Sequence, residues 1–132
     1  MGAPMFCQFG NNGLATATVV TPNLTRDGSG SPAPVSILNP LTTGGCRIEG
    51  VGFAFRGANQ ACVIRLFVCK GSTRRLLAEL EVGAKAPTSI QAGSKALWLP
   101  RVVFVLEKAS SLEFTSTDVT SPLDAIVYGG DL

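Results

Sequence analysis

The chain reads as an all-β protein, an antiparallel two-sheet sandwich of jelly-roll-like form with eight or nine short strands, and three observations predict it. Short apolar runs alternate side to side with a period of two, turns rich in Gly and Pro separate them at fairly regular spacing, and charged residues make up only 15% against 45% hydrophobic. Amphipathic helices would need more charge than that to cover their outer faces. With 132 residues the chain can bury one sizeable core, so residues 14–132 are expected to form a single sandwich domain.

Ahead of it, residues 1–13 mix Gly, Asn, Pro and isolated aromatics without periodicity, and read as an extended arm. Its apolar side chains Met5, Phe6 and Phe9 are the candidate partner-docking residues. The first strand spans 14–20 and ends before Pro22, which cannot donate to a ladder. A loop rich in turn formers follows, Thr25-Arg26-Asp27-Gly28-Ser29-Gly30-Ser31-Pro32. A short strand at 35–38 stops at Asn39-Pro40, and Thr43-Gly44-Gly45 turns the chain into a strand at 46–55. There Val51, Phe53 and Phe55 share one face and Gly50, Gly52 and Ala54 the other, a small-residue surface that invites close approach of a second layer.

Residues 62–69 carry apolar side chains on both faces: Cys62, Ile64, Leu66 and Val68 on one, Val63, Arg65, Phe67 and Cys69 on the other. This strand should therefore be central. Lys70-Gly71-Ser72-Thr73 is a hairpin loop into 74–82, where Leu76, Ala78, Leu80 and Val82 alternate against Arg75, Leu77, Glu79 and Glu81. Intrinsic propensity alone favours a helix there, but the short loop and the apolar partner segment favour an antiparallel strand. Further strands are expected at 96–99, 102–106, 111–115 and 125–128.

Little in the sequence equips the chain for catalysis. It has no histidine, which removes the commonest general base and metal ligand. The four cysteines, Cys7, Cys46, Cys62 and Cys69, contain no C-x-x-C pair, follow no signal peptide, and are read as buried free thiols rather than zinc ligands or disulfides. Glu79 and Glu81 share a strand face that is expected to be solvated. Asp27-Gly28-Ser29-Gly30 lacks the further ligands of a calcium loop and the Gly-Lys-Ser/Thr end of a phosphate loop, and is expected to be a structured turn. No enzyme activity, cofactor or metal is expected.

A net charge of +2 gives no strong field for nucleic acid or an anionic membrane. Arg65, Arg74 and Arg75 cluster around the central hairpin, but Trp98, Tyr128 and most of the phenylalanines sit in apolar runs and are read as core rather than base-stacking platforms. No apolar run is long enough to span a bilayer, and the chain reads as made in the cytoplasm without processing. The expectation is a protein that packs against other proteins.

The segments Thr25-Arg26-Asp27-Gly28-Ser29-Gly30, Gly45-Cys46-Arg47-Ile48-Glu49, Ile64-Arg65-Leu66-Phe67-Val68, Arg75-Leu76-Leu77 and the terminal Gly129-Gly130-Asp131-Leu132 resemble, in this order, small virion proteins of tailed bacteriophages, nearest the capsid decoration or cement type. The resemblance implies a structural virion protein on the capsid surface that binds the major capsid protein between capsomers and self-associates as a dimer or trimer. A carbohydrate- or receptor-binding sandwich of a tail fibre or baseplate is the alternative, because the same fold class hosts lectins.

Overall fold

A computed structural model of the chain describes residues 14–40, 44–102 and 104–131. Nine strands form, and no helix occurs among the described residues: β1 (Leu14–Val19), β2 (Val35–Leu38), β3 (Cys46–Phe55), β4 (Cys62–Lys70), β5 (Thr73–Val82), β6 (Lys95–Trp98), β7 (Phe104–Leu106), β8 (Ser110–Ser116) and β9 (Leu123–Asp131). The helix favoured by propensity at 74–82 gives way to β5, which pairs along its whole length with β4. Lys70 pairs directly with Thr73, so the hairpin loop is only Gly71-Ser72, with Gly71 at φ +62° as a tight two-residue turn requires.

The strands pair as a nested antiparallel ribbon: β1 with β9, β2 with β8, β3 with β6 and β7, and β4 with β5. The ribbon wraps so that β9 also pairs with β3 and β8 with β4. One sheet thus has the order β1-β9-β3-β6, with β7 continuing along β3 beyond β6, and the other the order β2-β8-β4-β5. This is the jelly-roll sandwich that the alternation predicts. Pro100 falls in the break between β6 and β7, as expected of a residue without a ladder donor.

The core lies between the sheets. Ile37, Leu38, Val51, Ile64, Leu66, Leu106, Leu112, Phe114, Leu123 and Val127 are almost completely buried there. Phe53 of one sheet meets Phe114 of the other with ring centroids 5.7 Å apart, a tilted contact worth about 0.5–1.5 kcal/mol beyond its buried area.

The register slips at three places, one of them at Ile37 of β2, and the two slips in the longer strands change which of their residues face this core. At Glu49 the register of β3 against β9 slips, so Cys46 and Ile48 point inward before the bulge and Val51, Phe53 and Phe55 after it. Gly129 accommodates the slip: a Cβ there would collide with the carbonyl oxygen of Arg47. The second slip, between Leu66 and Phe67 on β4, leaves Leu77 as the extra residue of β5. It corrects the simple alternation expected for β5, because Leu77 packs on the core while Leu76, opposite Phe67, is 40% exposed.

Cys46 and Cys62 are buried, as expected of small hydrophobes, whereas Cys69 is only half-buried at the end of β4. Cys7 and the arm residues Met5, Phe6 and Phe9 lie outside the described residues.

Candidate functional site

The outer faces of the two sheets offer different surfaces. Over the four-stranded sheet runs the β1–β2 loop, residues 20–34, and the charged side chains of that face hold it down. Glu79 receives hydrogen bonds from both Arg26, at 2.6 Å, and Arg65, at 2.8 Å. Arg65, with a side chain only 9% exposed, also reaches the carbonyl oxygens of Leu24 and Thr25. Arg74 binds Glu113 at 2.7 Å and reaches the carbonyl of Gly28. Asn23, itself buried, donates to the carbonyls of Gly30 and Pro32. The two guanidinium groups hold the Glu79 carboxyl at about 2, well below its ordinary 4.5.

Glu79 therefore anchors a clamp on a face that is exposed, as expected, and Glu81 is exposed beside it. Arg65 and Arg74 are engaged within the chain, and Asp27 caps the expected turn by accepting from the backbone and hydroxyl of Ser29. Asp27 is held below the usual carboxylate range by those same bonds.

The outer face of the other sheet is uncovered by any described residue and forms a trough of about 370 Å³. Its floor is the small-residue stretch of β3 at Gly52 and Ala54, while Gly50, next in the same column, is buried under Leu99. Cross-strand registry raises the walls: Gly52 lies between Ile126 of β9 and Leu97 of β6, and Ala54 between Asp124 and Lys95. Tyr128 leans over the floor, so that a Cβ added at Gly52 would stand 3.6 Å from its ring. Tyr128 is 44% exposed and Leu97 57%. Leu99, 61% exposed, closes the Gly50 end.

Among the residues that line the trough, charge lies at the opposite end. There Arg56 makes a two-pronged contact with Asp124, Nε to Oδ2 and Nη2 to Oδ1, both at 2.9 Å. Thr18 donates to the same carboxylate at 2.6 Å. Arg56 first, and Thr18 after it, depress the Asp124 carboxyl below its usual range, so it stays ionised and fixed. The site therefore joins an apolar bed with a tyrosine hydroxyl at one end to an oriented ion pair and the Lys95 ammonium at the other. It can seat an apolar or amphipathic group and orient it by charge.

Tyr128 corrects a sequence reading: it lines the trough instead of the core. Trp98 is half-buried against the core and meets Phe104 edge-on, with centroids 6.0 Å apart. The Gly50-Gly52-Ala54 face signalled the trough, but the second layer it was expected to receive does not come from the described part of the chain. Leu97 and Ile126 were not singled out, since their convergence depends on β6 and β9 flanking β3. Among the described residues no three Cys, Asp or Glu side chains gather as a metal set. No protein-family model matches the chain, and no curated protein matches it in sequence.

Proposed function

We propose that the chain is a structural protein of a bacteriophage virion, and that the trough on its five-stranded sheet docks it onto the capsid, between copies of the major capsid protein. The observation that carries the reading is the trough itself, a contiguous apolar surface on a rigid sheet whose counterpart on the other sheet is covered. Such surfaces mark protein contacts. The sequence resemblance supplies the partner, and jelly rolls are a recurrent architecture of viral shells. The occupant is an apolar segment of the capsid protein, laid along Gly52 and Ala54 with Tyr128 and Leu97 as anchors. Repetition of the site over a symmetric shell multiplies weak contacts into firm retention.

Co-sedimentation of the full chain with purified shells tests this. Gly52→Trp, which fills the trough, and Tyr128→Ala should both lose retention while keeping the melting temperature of the unmodified chain. Undiminished retention of both variants, or absence of the chain from mature particles, would overturn the reading.

Carbohydrate binding is the second reading, favoured by one specific feature: an exposed tyrosine ring shares the trough with the Asp124 carboxylate and the Lys95 ammonium, groups suited to stacking on and hydrogen bonding a sugar. A glycan array without hits would remove it.

A further inference from the structure

We propose that β5 is a self-association edge, along which two copies of the chain join antiparallel about a two-fold axis so that their four-stranded sheets become one. Five strands lie at sheet edges among the described residues: β1, β2, β5, β6 and the three-residue β7, which continues the β6 edge along β3. β5 is the longest at 10 residues, against 6 for β1 and 4 each for β2 and β6. Alternate amides and carbonyls of an edge strand point away from its neighbour. Among the described residues, no backbone hydrogen bond ties Thr73–Val82 to any segment but β4. The strand contains no proline and no lysine, two of the residues that commonly blunt such edges.

Charge selects the partner and its direction. The strand begins basic, with Arg74 and Arg75, and ends acidic, with Glu79 and Glu81. An antiparallel copy sets the basic end of one against the acidic end of the other, whereas a parallel copy sets like against like.

The faces select the register. Arg74, Leu76, Glu79 and Glu81 point to the outer face of the sheet, while Arg75, Leu77, Ala78, Leu80 and Val82 point inward. Because of the bulge this order reads the same in both directions from the Leu77–Ala78 bond. Only pairing about that bond keeps side chains on matching faces along the whole of Arg74–Glu81; registers centred on Arg75 or Leu80 match over about half that length. Pairing about the bond places Arg74 opposite Glu81 of the second copy, twice by symmetry, and Leu77 opposite Ala78. Among the described residues the Glu81 carboxylate has no hydrogen-bond partner, and Arg74 uses Nε and Nη1 but not Nη2. β6 ends the other sheet on the same flank, since it packs beside β5, so the joined edges bring a second pair of strands near the axis.

The association is independent of the trough and is tested on the isolated full chain, without shells or glycans. Sedimentation over a dilution series should show a reversible two-chain species that weakens as salt is raised. Glu81→Arg turns both symmetric attractions into repulsions and should weaken association about tenfold or more, with Glu81→Gln between. Tyr128→Ala should leave it unchanged. Hydrogen exchange on the unmodified chain gives a second measure: the amides of β5 that face away from β4 should gain protection as concentration rises. A single-chain mass throughout, a two-chain mass that Glu81→Arg does not alter, or protection gained only outside β5 would overturn the proposal. Should the arginine variant not fold, the exchange pattern decides alone.

Discussion

On the outer face of the four-stranded sheet Phe67 is fully buried although it lies outside the inter-sheet core, whereas on the outer face of the five-stranded sheet Tyr128 and Leu97 stand 44% and 57% exposed. Both faces carry apolar side chains outward from central strands. The difference is the β1–β2 loop, which the Arg26–Glu79–Arg65 and Arg74–Glu113 contacts hold over the first face, with Thr115 and Asn23 buried beneath or within it. The second face has small residues where the first has Phe67, so it is a trough instead of a covered mound. A jelly roll needs only the inner faces for its core, and what happens on the outer faces is where a particular sequence acquires a particular use.

The largest expected effect breaks the covered side. Phe67→Ala should cost about 3–5 kcal/mol, as for a fully buried aromatic ring, although Phe67 belongs to no inter-sheet contact. Tyr128→Ala, its counterpart on the open side, should change stability by no more than about 0.5 kcal/mol. Thermal unfolding of the two variants measures both; equal losses would mean that the trough is packed in the isolated chain and the contrast between the faces is false.

The clamp itself titrates. Glu79 holds at about 2 in the folded chain against an ordinary 4.5, so the unfolded chain binds its proton first as the solution is acidified. Its contribution to stability is complete above about 4.5, declines as pH falls, and is gone below about 2. Acid unfolding should accordingly be shallower for Glu79→Gln between those values, and the two chains should converge below them. Parallel curves over that interval would show that the Arg26 and Arg65 contacts add nothing to folding.

How much of this was legible in the sequence follows from the range of each interaction. A period of two is local, and all nine strands were readable from it, including β5 against its helical propensity. Bulges are not local: the extra residue at Glu49 or Leu77 is defined only by the facing strand, so Leu76 and Leu77 exchanged places. The exposed face of Glu79 and Glu81 was legible, but the clamp on it was not, because Arg26 lies 53 residues away in sequence, across a loop that alternation cannot position. Tyr128 was misread for a different reason. It sits in an apolar run, but it shares parity with Asp124 and Ile126, and the charged Asp124 already marked that side of β9 as outward.

The smallest effect concerns no stability at all and locates the border of the covered region. Cys69 lies on the same outer face of β4 as Phe67, two residues closer to the hairpin, half-buried, with its sulfur 3.6 Å from the carbonyl of Gly71. Cys62 is buried at the other end of the strand, where burial pushes its thiol up and so lowers the fraction of reactive thiolate. In the folded chain a thiol reagent should therefore modify Cys69 quickly and Cys46 and Cys62 only as the sandwich opens, with peptide mapping to separate the three. This revises the sequence expectation that all the thiols are shielded. Were Cys62 to react as fast as Cys69, the start of β4 would open without global unfolding; were Cys69 as slow as Cys62, the cover over Phe67 would extend to the hairpin.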